Sequence, residues 1–145
     1  MKGLKTRTGQ VVVEMILILP VFLGIVFTIM EIGNVSFRLI VLNHATYEVA
    51  RVGGMTWLLP SGGPSKLSAL MTSILPQATV SCTTDRTLMD PQAGIQNMDL
   101  VCTGSENVRL IFPISSIMLS SKGAPPGTRA LHATVRMPIE QPLPQ

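Results

Sequence analysis

Between residues 11 and 30 the only ionisable side chain is Glu14. No other feature limits the fold as much. Twenty positions at 1.5 Å each make a helix about 30 Å long, the thickness of a bilayer's hydrocarbon core. A buried core helix has no use for so uniform an apolar surface, so this run is read as one membrane crossing. A basic leader precedes it, with Lys2, Lys5 and Arg7 inside the first nine residues and no acid among them. Those three account for the excess of 11 basic over 8 acidic side chains, which leaves the rest of the chain neutral. The net charge of +3 is therefore a topology signal, since cations beside a span stay cytoplasmic. It is not the footprint of a nucleic-acid surface, which needs a basic stripe interleaved with aromatics. Charged residues make up 13% of the chain, about half of what soluble proteins carry, as expected if part of it is solvated by lipid.

Helical periodicity continues past the span. Val35, Leu39, Leu42, Val49 and Val52 recur at three- and four-residue spacing with Thr46 filling the gap, while Arg38, Asn43, Glu48 and Arg51 point elsewhere. This predicts one helix over residues 10–52, about 65 Å long, with Gly53 and Gly54 as its stop. The breaker cluster 60–64 then leads to a short helix over 65–75, with Ser65 as N-cap and Pro76 just beyond. Further on the period changes to two. Leu131, Ala133, Val135, Met137 and Ile139 alternate with polar residues or proline, Val108, Leu110 and Phe112 alternate around Arg109, and 78–83 and 98–103 are shorter candidate strands. The expected fold class is α+β: a long N-terminal membrane-spanning helix with a small antiparallel sheet packed on its amphipathic end. The expected organisation is a leader over 1–9, span and stalk over 10–53, a head over 54–145, and a frayed tail over 141–145.

The chemistry is concentrated at Gly9-Gln10-Val11-Val12-Val13-Glu14-Met15, where a glycine closes the basic leader and a carboxylate follows five residues later inside the apolar run. A carboxylate in a spanning helix costs about 2.5–3.5 kcal/mol near the centre and less near an end. An ammonium from a neighbouring chain at about 4 Å offsets this by on the order of 4 kcal/mol at an effective dielectric near 20. Glu14 then sets register and assembly; the alternative is that it snorkels to the interface. Gly9 has no side chain to obstruct a narrow protease site, whereas Gly3 has Thr8 at the matching offset.

This segment resembles the processing site of type IV-like prepilins, in which a prepilin peptidase cuts after the glycine. The resemblance implies Gly9 and Gln10 as the cleavage pair and Glu14 as the assembly carboxylate. It extends over residues 7–53: Leu17-Ile18-Leu19-Pro20, Glu31-Ile32-Gly33 and the stretch from His44 through Arg51 are similar to the N-terminal block of the TadE-like family. Those proteins are minor pilins or pseudopilins (TadE/TadF) of tight-adherence (Flp) pilus systems. The resemblance implies the inner membrane, a prepilin peptidase, other pilins or pseudopilins and pilus-assembly platform proteins as partners. Met15, where major Flp pilins usually carry tyrosine, and the greater length disfavour a bulk filament subunit.

Other residues carry less. Pro20 removes one helix hydrogen bond and is either a packing notch for a neighbouring helix or a tolerated membrane proline. Glu31 is expected at the outer interface as a solvated or headgroup-level charge rather than a ligand. Cys82 and Cys102 fall in the exported region and read as a disulfide, the alternative being two buried thiols. With His132 they are too few for a metal site. Tyr47, Glu48 and Arg51 suggest a surface pair through Tyr47 and Arg51, or a partner contact. The two histidines have no nucleophile and acid at triad spacing, and there is no phosphate loop or zinc-protease motif. The expectation is a non-enzyme with no cofactor, metal, nucleic acid or small-molecule substrate. Two rivals stand beside the pilin reading: a signal-anchored periplasmic binding or adhesion domain, and a secreted protein whose signal peptide is removed. The apolar run is too long and lacks the A-x-A site for the latter.

Overall fold

A computed structural model of the chain describes residues 5–57, 59, 62–90, 95–112, 116, 119–123 and 125–139, the side chains of 5–8, 87–90 and 95–97 excepted. Lys2, part of the 60–64 breaker cluster and the 141–145 tail lie outside them. Helix α1 runs over Lys5–Thr56, 52 residues and about 78 Å, with Pro20 inside it. Helix α2 runs over Pro64–Ile74. Strands β1 (Ala78–Asp90), β2 (Ile95–Arg109) and β3 (Thr128–Pro138) form an antiparallel sheet in the order β1-β2-β3. The architecture is α+β, a long apolar N-terminal helix with a small three-stranded antiparallel sheet.

Both ends of α1 pass the predicted limits. At the N-terminal end, Gly9 is the only poor helix former between Lys5 and Gln10, and its cost of about 1 kcal/mol does not stop propagation from the apolar run. At the other end Gly53 and Gly54 do not act as a stop, and Trp57 N–H still donates to the Gly53 carbonyl at 2.8 Å. They are where the helix meets the head most closely. A Cβ on Gly53 would run into Leu100 and lie 3.0 Å from Leu67, and one on Gly54 would come within 2.9 Å of the Pro138 carbonyl oxygen. The same device recurs on the strand side, where a Cβ on Gly104 would collide with Thr46 Oγ1 and crowd Met71. Thr46 is fully buried and satisfies its hydroxyl internally, donating to the Leu42 carbonyl at 2.8 Å.

The upper half of α1 is thus the second layer of the head. Leu42, Ala45, Val49 and Ala50 pack with Leu67 and Met71 of α2 and with Ala78, Leu100, Cys102, Val108, Leu131, Ala133 and Ile139. Val35, Leu39 and Val52 lie half-buried at the margin, as their spacing predicts. The period-two alternation of β3 also holds, with Leu131 and Ala133 inward and His132 and Thr134 outward. Of the strand expected over 108–112 only Val108 and Arg109 are strand, as the end of β2 in register with Arg129 and Thr128, and Leu110, Ile111 and Phe112 lie beyond it. The β1–β2 pair is longer than predicted and passes through a register shift between Arg86 and Leu88. Its polar Thr, Asp and Arg residues show no alternation, but ladder hydrogen bonds form whatever the side chains. Helix α2 begins one residue earlier than expected: Gly63, at φ 111°, is the N-cap in place of Ser65, and Pro64 opens the helix, where its missing N–H has no partner to lose.

Cys82 and Cys102 face each other across β1 and β2 with Cα atoms 4.1 Å apart and are joined by a disulfide. Closing this loop stabilises the head by about 3 kcal/mol in the chain-entropy model. Replacing both cysteines with serine is expected to lower the unfolding free energy by about that amount, read by urea unfolding of detergent-solubilised protein at Trp57. Gly104→Val is expected to cost about 1–3 kcal/mol in the same assay, because the helix must lift off the sheet to admit the side chain.

Candidate assembly site and head clamp on the long helix

Along α1 the surroundings change abruptly. From Val11 to Met30 the large apolar side chains Val11, Val12, Val13, Met15, Ile16, Leu17, Ile18, Leu19, Val21, Phe22, Ile25, Ile29 and Met30 are all exposed. Among the described residues nothing covers the most apolar 18-residue stretch, and the helix is long and apolar enough to cross a membrane. Gly9, Gln10, Glu14 and Pro20 all lie on this uncovered segment. Gly9 has open space where a Cβ would be. Glu14 is five residues, about 1.4 turns, further along the helix and exposed; among the described side chains it has no ion-pair partner within the chain. Pro20 cannot donate to the Ile16 carbonyl, which leaves that oxygen open to a donor from elsewhere.

Glu31 is not at a solvated position. It is 1% exposed, and its carboxylate accepts the backbone N–H of Ile111 at 3.1 and 3.3 Å and that of Phe112 at 3.3 Å. These donors follow directly after β2, where the sheet ladder no longer supplies acceptors. One turn below, the Phe112 ring stacks on Phe27 with centroids 4.6 Å apart and planes within 7°. Glu31 and Phe27 therefore clamp the strand end to the top of the span. Position after 20 apolar residues suggested exposure, but a loop 80 residues away in sequence covers the site.

A second polar link lies higher up. Arg38 Nη1 donates to Glu106 Oε1 at 2.7 Å, with the Glu106 side chain 1% exposed and that of Arg38 40% exposed. Glu106 takes an inward position of β2 between Gly104 and Val108, and its Oε2 has no hydrogen-bond partner among the described residues. Sequence reasoning placed Arg38 on the polar side of the stalk and gave Glu106 no role. The one available signal was an acid within the alternating run that continues to Val108. On the opposite face of the sheet, Arg136 bridges Asp85 and Asp99, the latter at 3.5 Å. Arg51 pairs with Glu48 at 3.7 Å and not with Tyr47. Tyr47 instead lines a shallow groove of about 450 Å³ with Ile40, Asn43, His44 and Val135. Among the described residues no group of His, Cys, Asp and Glu could hold a metal ion.

These features define a class: a single apolar helix suited to crossing a membrane, carrying a small disulfide-closed α+β head built around its own upper half. The N-terminal block is TadE-like, since the family model of TadE-like proteins matches residues 9–51, from the glycine before the span to the arginine at the end of the stalk. Comparison with curated proteins and with solved structures gave no match.

Removing the Glu31 carboxylate tests the clamp. Glu31→Ala is expected to cost about 1–3 kcal/mol by depriving two part-buried N–H groups of their acceptor. Amide hydrogen exchange at Ile111 and Phe112 should accelerate while the amides of β1 keep their protection.

Proposed function

We propose that this protein is a pseudopilin or minor pilin of a tight-adherence pilus system, non-enzymatic, with its N-terminus cytoplasmic and its head on the outer side of the inner membrane. The TadE-like match over 9–51 supports the family context, and the uncovered apolar stretch supports membrane anchoring. The observation that carries the reading is Glu14: an exposed carboxylate five residues after Gly9, on a helix surface that no other described residue covers. Such a charge at membrane depth calls for a partner from another chain, and the ammonium of a processed neighbouring pilin is the group this pathway supplies. A prepilin peptidase acts after Gly9 and releases Gln10 as the new N-terminus. Because residues 5–10 are helical, the peptidase must first open the first turns of α1, and Gly9 is where opening costs least. The mature helix then packs against other pilins and the assembly platform. Exposed Phe37, Ile40 and Tyr47 extend its apolar surface above the membrane.

Mass analysis of the membrane-extracted protein, with and without its co-resident peptidase, is the decisive measurement. A mature chain starting at Gln10 is expected, and Gly9→Ala should slow its appearance. Glu14→Gln should leave cleavage intact and reduce pilus assembly. An uncleaved Met1 start beside an active peptidase, with Glu14→Gln functionally silent, would leave the anchored binding or adhesion domain as the better reading.

A further inference from the structure

We infer that the segment just beyond β2, Ile111 and Phe112, enters the outer leaflet of the bilayer, so that the head is seated in the membrane and not held above it. The inference rests on α1 crossing the membrane, and it follows from depth. Phe112 stacks face to face on Phe27, so the two rings share one level. Ile29, Met30 and Ile32 lie above Phe27 along the helix, and all are large, apolar and exposed. A bilayer that covers them must reach past Ile32, which puts Phe27 roughly 7 Å inside the apolar layer at 1.5 Å per residue. Phe112 is carried to the same depth. Ile111, beside it, is 73% exposed, the highest value among the exposed large apolar side chains. In water that surface is unfavourable, whereas in the acyl region it contributes to binding.

Irregular backbone at this depth requires its polar groups to be satisfied by protein. The structure meets that condition for the donors: the N–H groups of Ile111 and Phe112 donate to Glu31, that of Leu110 donates to the Gly127 carbonyl at 2.8 Å, and the Phe112 carbonyl accepts the Ser116 N–H at 3.0 Å. The buried carboxylate at the top of the span thus lets a strand end lie against lipid. The partner is phospholipid, because the patch is continuous with the apolar surface of the span.

The test uses the full chain with Trp57, its only tryptophan, replaced by phenylalanine. Single tryptophans are then introduced as Ile111→Trp, Phe22→Trp in the span and Ser81→Trp on the outer face of the sheet. Each protein is reconstituted into phosphatidylcholine vesicles brominated on the upper acyl chain. Ile111→Trp should emit to the blue and lose emission to a degree comparable with Phe22→Trp, while Ser81→Trp stays unquenched. Adding Glu31→Ala should reduce quenching at position 111 and leave position 22 unchanged. An unquenched Ile111→Trp beside a quenched Phe22→Trp would overturn the inference and leave the span intact. No quenching at either would overturn the membrane span and the inference with it. Quenching at 111 that is unaffected by Glu31→Ala would refute the role given to Glu31.

Discussion

The head depends on the burial of residues 42–53 of α1 against the inner face of β2. A three-stranded sheet has one face to cover, and here α2 covers only part of it, through Leu67 and Met71. The remainder is closed by a helix whose lower half is an uncovered apolar surface. Two small-residue crossings bring the layers together: Gly104 under Thr46, and Gly53 over Leu100. With so few aromatic residues, 4% of the chain, close approach does work that bulk does in other cores. The disulfide between β1 and β2 adds covalent closure to a core near the lower size limit for independent stability.

Polar groups set where that layer sits along the helix. Apolar packing alone would tolerate sliding by a turn, but Glu31 and Arg38 each fix one level. Glu31 holds the first residues beyond β2, and Arg38 holds Glu106 within it. With Glu106 buried and Arg38 40% exposed, this ion pair adds little net stability. Its value here is register. Removing Arg38 leaves the Glu106 carboxylate buried without its cation, which penalises arrangements that separate the two.

Much of this was legible in the residue pattern. The span, the amphipathic stalk and the inward face of β3 follow from spacing, because each element buries one side and the period of the sequence records it. Glycine was misread at 53 and 54, where the same residue that often ends a helix instead permits contact; only the opposing Leu100 and Pro138 distinguish the two uses. Glu31 was misread for a related reason. A charge at the end of an apolar run is solvated unless something distant covers it, and Ile111 and Phe112 carry no mark of that destination. Glu106 was hidden within an alternation whose other members are apolar. On the site itself, Gly9, Gln10, Glu14 and Pro20 were nominated by local sequence, and the structure places them on one uncovered stretch of helix.

The continuity of α1 from Lys5 to Thr56 has a mechanical consequence. No linker separates the span from the head, and the two glycines that might have served as a hinge are wedged between the helix and its neighbours. A force applied to the head along the helix axis therefore meets the helix in shear across β2 and β3, a geometry in which many contacts must fail together. The span must then yield before the head peels away. Rotation is conveyed just as directly, since turning the helix turns the sheet with it. The molecule is in effect one lever about 78 Å long, apolar and uncovered at one end and gripped by its own fold at the other.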